Sequence, residues 1–315
     1  MRETTSGHAR APELTPGGAA PLRYEPGLVE DVVTRALLRR PAAHEPDALA
    51  AYHRRREVLY ELPGAQRESA FVRLHRAVFH DLGFEATVTA VVARHAAALA
   101  AVPTLTMERA TSPGDEAADL GHPGPAGRPG VVRMVARRFF DETLVPFLDH
   151  ELTHLADLVD PAFAHDPDAL DRVAPHRRRI VQQRYRRAWA VNVDGRLARA
   201  GRRPLAERGE HDAALGTAFA SLTPVAATDM RERLWAGPRP THGELLALAT
   251  TVPARAPRAE GAPCPLCSFP TYRWAPAPAP AMAEAIRRDI ATWQPDEGLC
   301  DRCYERFEST PVPAR

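Results

Sequence analysis

The chain has 315 residues, with 41 basic against 40 acidic side chains, 44% hydrophobic and 26% charged residues. That balance belongs to a globular protein with one main domain and a small appendage, and a formal net charge of +1 argues against a chain that coats nucleic acid by bulk electrostatics. No apolar run reaches the roughly 18 residues of a membrane span, and the N-terminus lacks a secretory apolar segment, so the expected location is the cytoplasm.

Residues 1–25, rich in Pro, Gly and Ala, read as a disordered tail. Residues 26–252 form the expected main domain. Four helices are expected first, at 27–40, 47–62, 65–82 and 85–101, separated by Pro41, Pro46, Pro63-Gly64, Gly83 and Pro103. His75, His80 and His95 lie on them without a partner at ligand spacing, so they read as packing or surface histidines. Residues 104–108 and 131–137 are β-branched and apolar enough for strands. The stretch 111–130 between them, studded with Pro and Gly, reads as a loop.

The next helix carries the chemistry. His150-Glu151-Leu152-Thr153-His154 is an HExxH string, and residues four apart on a helix share one face. Two imidazoles can then converge on one metal, with Glu151 beside them as a candidate general base. Leu144, Leu148, Leu152, Leu155 and Val159 mark a separate apolar face, as an amphipathic helix requires. Asp141 or Thr143 is a candidate cap, and Asp160-Pro161 is the stop. Asp157, one turn beyond His154, suits a hydrogen bond to a ligand imidazole better than metal ligation.

Beyond Pro161 a polar turn holds His165, Asp166 and Asp168, and a long helix is expected from 174 to 200. Eleven arginines stand between Arg172 and Arg203 against the single acid Asp194, a local charge of +10. We read them as a solvated face offset by acids elsewhere rather than as a cationic binding rim. Helical segments near 212–222 and 241–250 complete the domain.

A catalytic zinc takes three protein ligands and keeps one open position. The first candidate for the third ligand is Asp194, whose apolar neighbours Val191, Leu197 and Ala198 suggest a buried carboxylate, with an ion pair to Arg187 or Arg196 as the competing reading. His165 is the alternative, and Asp166, Asp168 and His176 stay open.

On the HExxH pentapeptide and the strand-then-helix order, within residues 104–200, the chain resembles the zincin superfamily of zinc metallopeptidases. It lacks the thermolysin-type downstream glutamate, since none occurs between Glu151 and Glu207, and Asp157 stands where the metzincin continuation has glycine. The resemblance implies peptide-bond hydrolysis, with His150 and His154 holding zinc and Glu151 deprotonating water. It also implies an edge strand that binds extended substrate, a place 131–137 would fill. His176, Tyr185 and Arg196 are available to stabilise an oxyanion.

After a linker at 253–263, residues 264–315 hold all four cysteines. Cys264-Pro265-Leu266-Cys267 and Cys300-Asp301-Arg302-Cys303 are two CxxC knuckles with 32 residues between them, the donor set of a structural Cys₄ zinc site of zinc-ribbon or treble-clef type. A helix is expected at 281–293. Phe269, Tyr272, Trp274 and Trp293 are either a small core or a contact surface. The order of HExxH first and paired CxxC last is similar to that of Spartan-type proteases, which act on proteins crosslinked to DNA and take a third ligand from a downstream histidine. That similarity implies His165 or His176.

The sequence therefore predicts a predominantly helical α+β protein, with a zincin-like metal helix beside a short sheet (metal site within 131–200) and a small C-terminal zinc module. It would bind two zinc ions, one catalytic and one structural, and act on a peptide or protein substrate. The competing reading is a non-enzymatic, metal-stabilised scaffold whose Cys₄ module recruits a protein or nucleic acid.

Overall fold

The computed structural model describes residues 20–39, 46–219, 222–250, 260–276, 278–291, 293 and 295–308. The chain divides into two compact units, Met1–Asp160 and Pro161–Arg315. Most of the expected tail and of the expected linker at 253–263 lies outside the described residues. Helix predominates, with a small mixed sheet. No helix among the described residues is long and apolar enough to cross a membrane.

The first unit begins with strand β1 (Leu22–Tyr24), inside the stretch read as a tail. Helices α1 (Pro26–Arg39), α2 (Pro46–Leu59), α3 (Gly64–Asp81) and α4 (Phe84–Arg94) follow, within a few residues of the expected starts. Helix α1 buries Leu28, Val29, Val32, Val33, Ala36 and Leu37, the apolar stripe its periodicity predicts. Helix α4 ends at Arg94, earlier than expected.

The sheet comprises β1, β2 (Leu105–Arg109), β3 (Ala117–Leu120) and β4 (Gly130–Met134), in the order β1-β2-β4-β3. The first three in that order run parallel, and β3 pairs antiparallel with β4 in the register Ala118↔Val132. Two corrections follow. The segment expected as a loop contains β3, whose Ala-Ala-Asp-Leu sequence carries little strand propensity and whose pairing is supplied by β4. The edge position expected for 131–137 accordingly belongs to β3, because β4 has a neighbour on each side.

Helix α5 (Leu144–Val159) carries the HExxH string and buries Leu148, Leu152 and Leu155 completely. It lies so close to the sheet that a Cβ at Gly130 would come within 2.7 Å of Leu155 Cδ2. A glycine at the start of β4 thus sets the approach of α5 to the strands.

In the second unit, α6 (Pro175–Arg199) packs against α7 (Arg208–Ala218), α8 (Pro224–Ala236) and α9 (His242–Thr250). Val191, Leu215, Ala218, Phe219, Met230 and Trp235 form one of its cores. Helix α8 was not expected. It starts with Pro224 in its first turn, and the Thr223 hydroxyl caps it by accepting from Ala226 N–H at 3.2 Å.

Several of the clustered arginines serve this unit internally. Arg184 Nε donates to the Ala218 carbonyl at 2.9 Å, and burial pulls its pKa down to about 10. Arg199 donates to the carbonyls of Trp235 and Gly237, and Arg177 pairs with Glu297 at 3.4 Å. The unit ends with the hairpin β5 (Ala262–Pro263) and β6 (Pro270–Thr271), then α10 (Pro280–Asp289) and α11 (Asp301–Glu308).

Candidate functional site

Helical spacing brings His150 and His154 together on α5. Their Nε2 atoms are 3.0 Å apart and their rings meet edge to face. Two nitrogens bound to one tetrahedral zinc at about 2.0–2.1 Å stand roughly 3.4 Å apart, so the pair needs little adjustment to share an ion. His150 and Glu151 are buried and His154 is half-buried.

Glu151 reaches β3, where its Oε2 accepts the Ala118 N–H at 2.6 Å. Burial raises its carboxyl above the usual carboxylate range, and His150 and the Ala118 N–H oppose that shift. Asp149, one residue before the pair, is almost fully buried; its two oxygens accept from Arg94 Nη2 at 2.8 Å and His95 Nε2 at 2.9 Å. These bonds tie the end of α4 to the start of the HExxH string. Sequence reasoning missed them, because His95 and Asp149 lie 54 positions apart. His75 meets the Tyr52 hydroxyl at 2.9 Å and His80 meets Glu85 at 2.9 Å, in keeping with their reading as packing or surface histidines. Asp157 is 1% exposed.

The candidates for the third ligand belong to the second unit. Asp194 is fully buried, as its apolar neighbours imply. Its Oδ1 accepts from Leu205 N–H at 3.0 Å, and its Oδ2 accepts from Ala206 N–H at 3.0 Å and His211 Nε2 at 2.8 Å. Those bonds pin the turn after α6 and explain the burial without a metal. His165 stands edge-on to His242, ring centroids 5.2 Å apart, and the Tyr185 hydroxyl lies 2.8 Å from His242 Nδ1. His242 Nε2 is buried and has no hydrogen-bond partner among the described residues. Asp166 is paired with Arg172, and the His176 side chain lies outside the described residues.

The cysteine site is assembled as the spacing implies. Cys264 and Cys267 form a knuckle between β5 and β6, turned by Ser268 at φ 61°. Cys300 immediately precedes α11 and Cys303 lies in its first turn. The four thiols lie within 4.8 Å of one another and can hold a metal ion. Cys264–Cys303 is 3.9 Å and Cys267–Cys300 is 3.7 Å, against about 3.8 Å between sulfurs around a tetrahedral zinc at 2.3 Å. The Cys303 thiol pulls the Cys264 pKa down to about 5, helped by the N–H groups of Cys300, Cys267 and Leu266. A hairpin knuckle and a helix start together supply the four thiols. Trp293 sits in the module's core, whereas Phe269 and Tyr272 are 65% and 70% exposed.

No family model matches the chain, and comparison with curated proteins and solved structures finds no match.

Proposed function

We propose that the chain is a zinc-dependent hydrolase of peptide bonds. The observation that carries this reading is the convergence of His150 Nε2 and His154 Nε2 at 3.0 Å, with the Glu151 carboxyl buried beside them. A zinc ion in that place supplies Lewis acidity to a carbonyl and lowers the pKa of water. His150 and His154 would hold it. Glu151 would accept the water's proton and return it to the leaving amine, a task its burial favours. Asp194, the first candidate for a third ligand, has both oxygens engaged within its own unit. The four cysteines hold a second, structural zinc, and their free thiols suit the reducing cytoplasm.

The test combines metal content with turnover. Mass spectrometry of the purified protein should find two zinc ions per chain. Glu151→Gln should keep both and lose casein hydrolysis by about 100-fold or more. Asp194→Ala should lose stability rather than zinc. Undiminished hydrolysis by Glu151→Gln would refute the mechanism. A second reading, a non-catalytic protein that recruits a partner through its cysteine module, is favoured by the exposed Phe269 and Tyr272; it requires one zinc per chain and no hydrolysis.

A further inference from the structure

An edge strand presents unpaired N–H and C=O groups that can pair with an incoming chain. On β3 three of the outward groups of Ala118 and Leu120 are already in use. Gly121 N–H donates to Pro129 O at 2.8 Å across the hairpin, and strand alternation then turns Asp119 and Ala117 towards β4. Ala118 and Leu120 direct their backbone groups away from it. Ala118 N–H is held by Glu151 at 2.6 Å, and Leu120 N–H by Asp119 Oδ1 at 2.7 Å. The Leu120 carbonyl accepts Arg128 Nη2 at 3.1 Å. Arg128 also donates through Nε to the Gly121 carbonyl at 3.1 Å, a group that Pro129 leaves without a ladder donor because proline has no N–H. Arg128 is thus anchored at the hairpin and reaches over the edge.

All three outward bonds run to side chains, so a strand that supplies backbone partners can replace them with little net loss of hydrogen bonding. We propose that the β3 edge is an autoinhibitory latch, in which Ala118 holds the Glu151 carboxylate and Arg128 covers Leu120 until an extended polypeptide pairs with both residues. The proposal rests on the peptidase reading and adds the regulation of that site. A substrate carbonyl takes the Ala118 N–H, a substrate N–H takes the Leu120 carbonyl from Arg128, and Glu151 is released beside His150 and His154. The two anchor points are two residues apart, about 6.8 Å along the strand, so a substrate too short to span them leaves the base held.

The test uses the full-length, zinc-loaded chain. Ala118→Pro removes the latch N–H at a position that donates nothing to the ladder, where proline is tolerated. Hydrolysis of a blocked dipeptide amide should rise about tenfold as Glu151 is freed, whereas KM for casein should rise by a similar factor as the anchor is lost. Unchanged constants for both substrates, with the fold intact by circular dichroism, would overturn the latch. A measurement independent of turnover is amide hydrogen exchange. The Ala118 amide should exchange about tenfold faster in Glu151→Ala than in the wild type, with Val132 unaffected. Equal rates at Ala118 would sink the latch even if casein is cleaved. A wild type without zinc-dependent casein hydrolysis would remove the peptidase reading and this proposal with it, and any slowed exchange would then record only a structural bond.

Discussion

Glu116 and Arg138 face each other in a two-pronged ion pair, with Nη2 to Oε2 at 2.7 Å and Nε to Oε1 at 3.0 Å. The pair joins the residue before β3 to the 3-10 turn before α5. It is extended by Val135 N–H to Glu116 at 3.1 Å and by Arg138 Nη1 to Thr143 Oγ1 at 2.6 Å. Both side chains are mostly buried, and the guanidinium also lies 4.8 Å over the Phe147 ring. The strand that touches Glu151 and the helix that carries it are therefore clasped by one contact.

Breaking that clasp on one side should be more damaging than replacing it. Arg138→Ala strands a buried carboxylate and should cost about 3 kcal/mol or more in urea unfolding. The double change Glu116→Gln with Arg138→Met should cost less than Arg138→Ala alone. If the double variant is the less stable, the pair is not the buried, mutually dependent contact described here.

Metal removal should act first on the C-terminal module. Cys264 and Cys303 belong to its core with Leu266, Ile286, Trp293, Leu299 and Phe307, so the ligands and the packing are one structure. Structural zinc contributes on the order of 10–16 kcal/mol to the folding of such small sites. A strong chelator should expose Trp293, seen as a red shift in its fluorescence in a variant whose other tryptophans are replaced by phenylalanine. Cys303→Ser should show the shift without chelator. A module that keeps its tryptophan buried after complete metal removal would contradict this.

Acid should weaken the helical layer of the first unit through His75. Burial holds its pKa below the ordinary 6.5, with Glu30 opposing and Arg56 reinforcing the shift, and its ring nitrogen rests on Tyr52. The unfolded chain therefore takes up a proton that the folded chain does not. Stability contributed by neutral His75 is complete above about pH 6.5 and falls as the pH drops towards its folded value, by at most about 1.4 kcal/mol per pH unit. Comparing urea midpoints of the wild type and His75→Gln between pH 7 and pH 5 isolates the term, and parallel curves would show that His75 does not contribute.

The local features of the candidate sites were legible in the chain. Leu148, Leu152 and Leu155 had to form one face and His150 and His154 another, because helical geometry repeats within a few residues. Each CxxC pair is likewise a contact of short range. Asp194 shows where legibility ends: its burial could be read from its neighbours, but its partners Leu205, Ala206 and His211 could not. The tight glycine at 195 has the same character, since a Cβ there would strike the backbone of Trp235, forty residues away.

What the sequence determined by itself is a helix with two histidines on one face, two cysteine knuckles and the positions of most helices, all set by spacings of two to four residues. The tertiary structure decided that β3 rather than β4 is the edge, that Glu151 rests on Ala118, and that Glu116 clasps Arg138. Those relationships join residues about 10 or more positions apart. Their register comes from strand pairing and packing across the fold, for which no local periodicity exists to be read.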